Sequence, residues 1–193
     1  MSHNLLLNAS FYELLLHVDR DLSEQARQAG CACGGVLHSA RYPRKPRGFE
    51  ELGPDYQKRL SFCCAKDGCR LRVTPPSVRF LGRRVYLAAV VLLVTAVMSG
   101  VTAKRVAHIR QLVGDDVSER TICRWRDWWQ SSMPRTSFWS EHGARFMPPV
   151  AAERLPASLL ERFGGNDERN RMVATLRFLS PLSTRSSPTT RAI

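Results

Sequence analysis

The sequence predicts an α+β fold: a small cysteine-bearing β unit, then a helical domain, then a disordered C-terminal tail. Three observations carry this. Two tight clusters, Cys31-Ala-Cys33-Gly-Gly35 and Phe62-Cys-Cys-Ala-Lys-Asp-Gly-Cys-Arg70, hold all but one of the six cysteines. Short alternating stretches and prolines surround them, as expected of strands and loops. Residues 83–130, by contrast, carry long apolar and amphipathic segments of helical period.

Residues 10–29 are expected to be helical, with Ser10 as a cap, Phe11, Leu14, Leu15 and Val18 on one face, and Gly30 as the stop. The stretch Tyr42-Pro-Arg-Lys-Pro-Arg-Gly48 is a proline-punctuated basic loop, since proline is excluded from a helix interior. Arg59-Leu-Ser-Phe-Cys-Cys64 alternates as a strand, and Pro75-Pro76 end any strand that begins near Arg70. Three helices follow, over 83–99, 102–113 and 118–130. Beyond Trp139 only short helical pieces are expected, and Ser180–Thr190 reads as a disordered tail. The boundaries are an N-terminal helical segment 1–30, a cysteine module with its basic loop 31–80, a helical domain 82–130, and an irregular segment with the tail 131–193.

The chain has 193 residues, a net charge of +12 and a pI near 10.2. That length suits one mid-sized domain or two to three small modules. The charge favours a polyanionic partner, nucleic acid first and an anionic membrane second; arginine-rich codon usage is the alternative source of it. The arginines are clustered: Arg41, Arg44, Lys45 and Arg47 in one loop, Arg70, Arg72, Arg79, Arg83 and Arg84 after the second cysteine cluster, and Arg120, Arg124 and Arg126 further on. Leu5-Leu6-Leu7 is too short and lacks a preceding cation to act as a secretory signal, so a cytoplasmic location is expected.

In a reducing compartment, clustered cysteines are more often metal ligands than disulfides. Two knuckles separated by a few tens of residues suit tetrahedral zinc, with Gly34 or Gly35 and Gly68 permitting the turns. If Leu60 and Phe62 face the core, alternation puts Cys64 with them and Cys63 opposite. The expected ligands are therefore Cys31, Cys33, Cys64 and Cys69, with Cys63 or His38 as substitutes. His38 enters because the Cys-x-Cys spacing is one residue short of the usual knuckle. Four protein ligands leave no open position, so the zinc would be structural.

In the last predicted helix, Ser118 is a good N-cap and Val117 a hydrophobic staple. Ile122, Trp125 and Trp129 share one face, while Arg120, Arg124 and Asp127 lie opposite. Such a helix suits a major groove, where arginine binds guanine O6 and N7; the alternative is an amphipathic helix on the surface. The helix bearing Val106, Ile109, Leu112 and Val113 would support it. Residues 85–98 invite a membrane-spanning reading, because no charge falls between Arg84 and Lys104, but equally basic flanks and the diluted end favour a buried helix.

Cys31-x-Cys33-Gly-Gly-x-Leu-His38, Tyr42–Gly48, Ser61-Phe-Cys-Cys64-x4-Cys69-Arg and Thr74–Gly82 together resemble bacterial transposase-type zinc-ribbon proteins. Those join a ribbon to a helix-turn-helix whose Ser-x-x-Thr-Ile/Leu-x-Arg-Trp pattern is matched by Ser118, Thr121, Ile122, Arg124 and Trp125. The resemblance spans roughly residues 15–130 and implies DNA binding linked to mobile elements.

The expected function is that of a DNA-binding accessory protein or regulator. Double-stranded DNA is the partner, with a transposase or a second copy as a further one. Arg44, Lys45 and Arg47 would contact phosphates, and Arg120 and Arg124 would read bases. A membrane-anchored protein with a zinc-binding head, or a non-autonomous transposase fragment, is the alternative. No catalytic carboxylate set can be assigned, so no enzymatic activity is expected.

Overall fold

The computed structural model describes residues 8–44, 53–81, 88–97, 102–113, 117–164 and 167–184. Its architecture is mixed, with helices and two small antiparallel sheets. The coarse α+β class therefore holds.

Helix α1 spans Ala9–Ala29 and follows Asn8, whose backbone is extended. The helix thus starts ahead of Ser10, the expected cap. Ser10 lies inside the first turn and donates to Asn8 Oδ1 at 2.7 Å. Phe11, Tyr12, Leu15 and Val18 form the buried stripe that a 3.6-residue period requires. Gly30 ends the helix at a φ of 72°, a left-handed conformation that a β-carbon would disfavour.

Strands β1 (Leu37–Ser39), β4 (Phe62–Cys64) and β5 (Arg72–Val73) make one sheet, ordered β1-β4-β5. Leu37 faces Cys64 and Phe62 faces Val73. Strands β2 (Tyr42–Pro43) and β3 (Lys58–Arg59) form a separate ribbon. The strand expected over 59–64 is thus divided between two sheets. The pairing changes at Leu60–Ser61, where Ser61 grips Ala40 twice: its carbonyl accepts the Ala40 N–H, and its hydroxyl donates to the Ala40 carbonyl.

Helices α2 (Ala88–Val97), α3 (Ala103–Val113) and α4 (Glu119–Asp127) occupy the segments expected to be helical. A π-helical turn over Trp128–Ser132 continues α4. Among the described residues no helix is long and apolar enough to cross a membrane. Helix α2 has a different use for its apolar surface. It packs against α4, α6 (Ala157–Leu160) and α7 (Glu168–Leu179), and Ala88–Leu92, Val94 and Thr95 are all buried. A helix covered on every side is apolar all round.

The C-terminal region is more regular than the sequence reading allowed. Helix α5 (Ser137–His142) is capped by Thr136 and α7 by Asp167, and α7 buries Met172, Thr175, Leu176 and Leu179. The expected disordered tail also needs correction at its start. Ser180–Ser183 form a 3-10 turn, and the Ser183 hydroxyl accepts from Ser77 N–H at 2.9 Å and from Arg59 at 3.2 Å. The rest of that tail lies outside the described residues.

Arg79, which the sequence places in a basic cluster, is instead fully buried and paired with Asp19 at 2.7 Å. Its remaining donors reach the backbone carbonyls of Tyr56 and Lys58, each at 3.0 Å. The guanidinium also lies between the rings of Tyr56 and Phe80, 4.9 and 5.1 Å from their centroids. This arginine therefore joins α1, the start of β3 with the residues before it, and the chain entering the helical core.

Candidate metal centre

The first knuckle begins where Gly30 releases the chain from α1. Gly34 turns back on it, its N–H donating to the Cys31 carbonyl at 2.8 Å and its φ at 76°. The second starts at the end of β4 and turns at Gly68, with φ at 81°, so that Cys69 N–H reaches the Lys66 carbonyl at 3.1 Å. Gly35 is needed for space: a β-carbon there would stand 2.6 Å from Cys64 Sγ.

These turns converge four sulfurs. Those of Cys31, Cys33, Cys64 and Cys69 all lie within 4.8 Å of one another. Three pairs are closer: Cys33–Cys64 at 3.4 Å, Cys31–Cys33 at 3.5 Å and Cys31–Cys69 at 3.8 Å. A tetrahedron with metal–sulfur bonds of about 2.3 Å has edges of about 3.8 Å. The quartet is thus within binding distance of a single ion, and the all-sulfur donor set suits a thiophilic one. The short Cys-x-Cys spacing does not keep its two sulfurs apart.

Cys63 alternates out of the cluster, as the pleat requires, and its thiol turns to the backbone carbonyls of Cys64 and Arg70. His38, on β1 opposite Cys63, is exposed and stands outside the quartet.

Backbone N–H groups point at the sulfurs. The N–H of Gly35 bonds the Cys33 sulfur, and this, with the thiols of Cys69, Cys64 and Cys31, holds Cys33 down at about 6. The Lys66 N–H favours the Cys64 thiolate, but burial and the neighbouring sulfurs outweigh it and push that thiol up to about 12. Cys69 likewise receives the Leu71 N–H, yet the Cys33 sulfur and burial leave it above the ordinary thiol range. The Cys33 thiolate is therefore favoured near neutral pH, while Cys64 and Cys69 give up their protons only to something that repays the charge. A metal ion does so. Lys66 adds a nearby cation, its ammonium bonded to the Cys33 carbonyl at 3.3 Å.

The apolar cluster around this site is small. It consists of Cys31, Leu37, Phe62 and Cys64, with Cys33, Cys69 and Val73 against it. Most members of this core are ligand candidates.

The residues expected to touch DNA are placed separately. Arg120 and Arg124 are exposed on α4, opposite the buried Ile122 and Trp125. Arg44 is half-buried and stacks on Tyr42, 5.9 Å from the ring centroid. Lys45 and Arg47 lie outside the described residues.

Fold and site together define a class: a mixed α+β chain with a four-cysteine cluster at metal-binding distance, beside a helical core. Comparison with protein-family models, curated proteins and solved structures finds no match.

Proposed function

We propose that this chain is a DNA-binding protein, an accessory or regulatory factor of mobile elements, in which zinc holds the cysteine module together and α4 reads base edges. The observation that carries this reading is the division of α4 into two faces. Ile122 and Trp125, with Trp129 in the following turn, are buried, while Arg120 and Arg124 stand exposed one helical turn apart. An anchored inner face and two outward guanidiniums are what major-groove reading needs.

Further features agree. Ser118 caps α4 by accepting the Thr121 N–H at 3.2 Å, and Val117 before it is buried. Arg110 of α3 donates to the Val117 carbonyl at 3.2 Å, which fixes how the supporting helix meets the entry to the reading helix. The connecting residues 114–116 lie outside the described residues. Zinc is the metal of choice because four thiolates whose sulfurs lie within 4.8 Å of one another can close a tetrahedral site, and such sites supply folding free energy to modules with small cores.

The test is competition binding on a site selected from genomic fragments. Arg124→Ala should cost about 1–3 kcal/mol on that site and blur its sequence preference. Unchanged affinity and preference would make α4 a packing element.

A further inference from the structure

We infer that the groove between α1 and the β1–β4 edge is a binding site for backbone phosphates of duplex DNA. This rests on the DNA-binding reading, but none of the residues lining the groove is among those assigned to it. The groove encloses about 190 Å³. One wall is a single stripe of α1: Arg20, Ser23, Glu24 and Arg27 recur at helical spacing along it. The other wall is Ser39, Arg41 and Ser61, and the buried Leu60 and Phe62 complete the lining.

The charges favour an anion. Three guanidiniums face one carboxylate. Glu24 is engaged by Arg27 at 3.3 Å, and Arg20 meets Asp55 at 3.5 Å, both between side chains more than half exposed. Such surface pairs are weak, so a phosphate can take over their cations at small cost. Arg41 has no ion-pair partner among the described residues. At the rim, Arg72 is held in place by the Ala40 carbonyl and the Ser61 hydroxyl, both at 3.1 Å.

The groove also opens towards more of the same chemistry. Arg72 and Arg44 both stack on Tyr42, with 5.6 and 5.9 Å to the ring centroid. A basic track therefore runs from α1 across the sheet to Arg44. A run of guanidiniums matches a repeating phosphodiester, and planar guanidinium suits phosphate better than ammonium does. No base edge need enter the groove, so its contribution should be indifferent to sequence.

The test uses the full chain, metal-loaded, with the double variant Arg27→Gln/Arg41→Gln. Binding to a random-sequence duplex is measured across a salt series, and inorganic phosphate is titrated against the backbone amide resonances of Ser39, Arg41 and Ser61, with chloride at equal ionic strength as control. The variant should bind all duplexes about tenfold more weakly, and the slope of log affinity against log salt should flatten by about 1.8, the value for two lost contacts. Phosphate should shift the groove amides in the wild type and not in the variant. An unchanged slope with unresponsive amides would overturn the groove and leave the reading of α4 standing. Phosphate shifts without any duplex binding would overturn its assignment to DNA together with the proposed function.

Discussion

Replacing Asp19 by Asn is the sharpest test of how the cysteine module is tied to the helical core. Asp19 and Arg79 are both 0% exposed. The carboxylate accepts three short bonds, from the Ser77 hydroxyl at 2.6 Å and from Val78 N–H and Arg79 Nε at 2.7 Å each. Asparagine keeps an oxygen for the Val78 N–H but carries no charge, and its amide nitrogen would face a guanidinium. Removing one member of a buried ion pair strands the other, at about 3–5 kcal/mol. In a chain of this size each kcal/mol moves Tm by about 2–4 °C, so a fall of about 6–20 °C is expected. The assay is thermal unfolding of metal-loaded protein followed by far-UV circular dichroism. The control is Glu161→Gln, which breaks the 2.6 Å pair with Arg154 between side chains each 58% exposed. That loss should stay within about 1 kcal/mol. If Asp19→Asn moved Tm no further than the control, the buried pair would not be what links these segments.

Elemental analysis of tag-free protein should find about one metal ion per chain in the wild type and in Cys63→Ser, and much less in Cys64→Ser or Cys69→Ser; full occupancy in either of the latter would remove that sulfur from the site. Metal affinity should weaken on acidification, because protons compete for every thiolate. Cys33, held at about 6, is already ionised above that pH, while Cys64, raised to about 12, is not. Below about pH 6 one more proton must leave on binding, so log apparent affinity against pH should steepen by one unit there. Chelator competition between pH 5 and 8 would read this, and a constant slope would contradict the Cys33 assignment.

The structure brings together the four cysteines chosen from the sequence, because that choice rested on local rules. Alternation along a strand separates Cys64 from Cys63, and Gly30, Gly34 and Gly68 mark turns of positive φ around the two knuckles. The buried face of α4 was legible for the same reason: one period and one cap decide it. Long-range events were not. Arg79 looks like any other arginine after a knuckle until Asp19, sixty residues earlier, is brought against it. The division of 59–64 between two sheets depends on Ala40, twenty-one residues away from Ser61. Helix α7 is a different kind of miss, since Asp167 followed by Met172, Thr175, Leu176 and Leu179 carries a cap and a helical period in plain view. Its surroundings, broken by Pro156 and Gly164-Gly165, masked the pattern.

Arg79 also explains how a module with so small a core can belong to the rest of the protein. The larger apolar cluster draws on α1, the segment around Val78–Leu81, α2, α4, α6 and α7. The sheet that carries the cysteines contributes nothing to it and is left with Leu37, Phe62 and its own ligand candidates. Four sulfurs can organise that sheet internally, but they cannot orient it. Directional charge-assisted bonds lie beside it, on the β2–β3 ribbon and on the segment that follows β5. Arg79 fixes the carbonyls of Tyr56, just before β3, and of Lys58 within it, and Arg59 of β3 reaches across to the Pro75 carbonyl and the Ser183 hydroxyl. Apolar contact alone is indifferent to small rotations of one layer over another, whereas guanidinium bonds to fixed carbonyls are directional. Two buried arginines thus tie the β2–β3 ribbon and the segment that follows β5 to α1 and to the turn after α7.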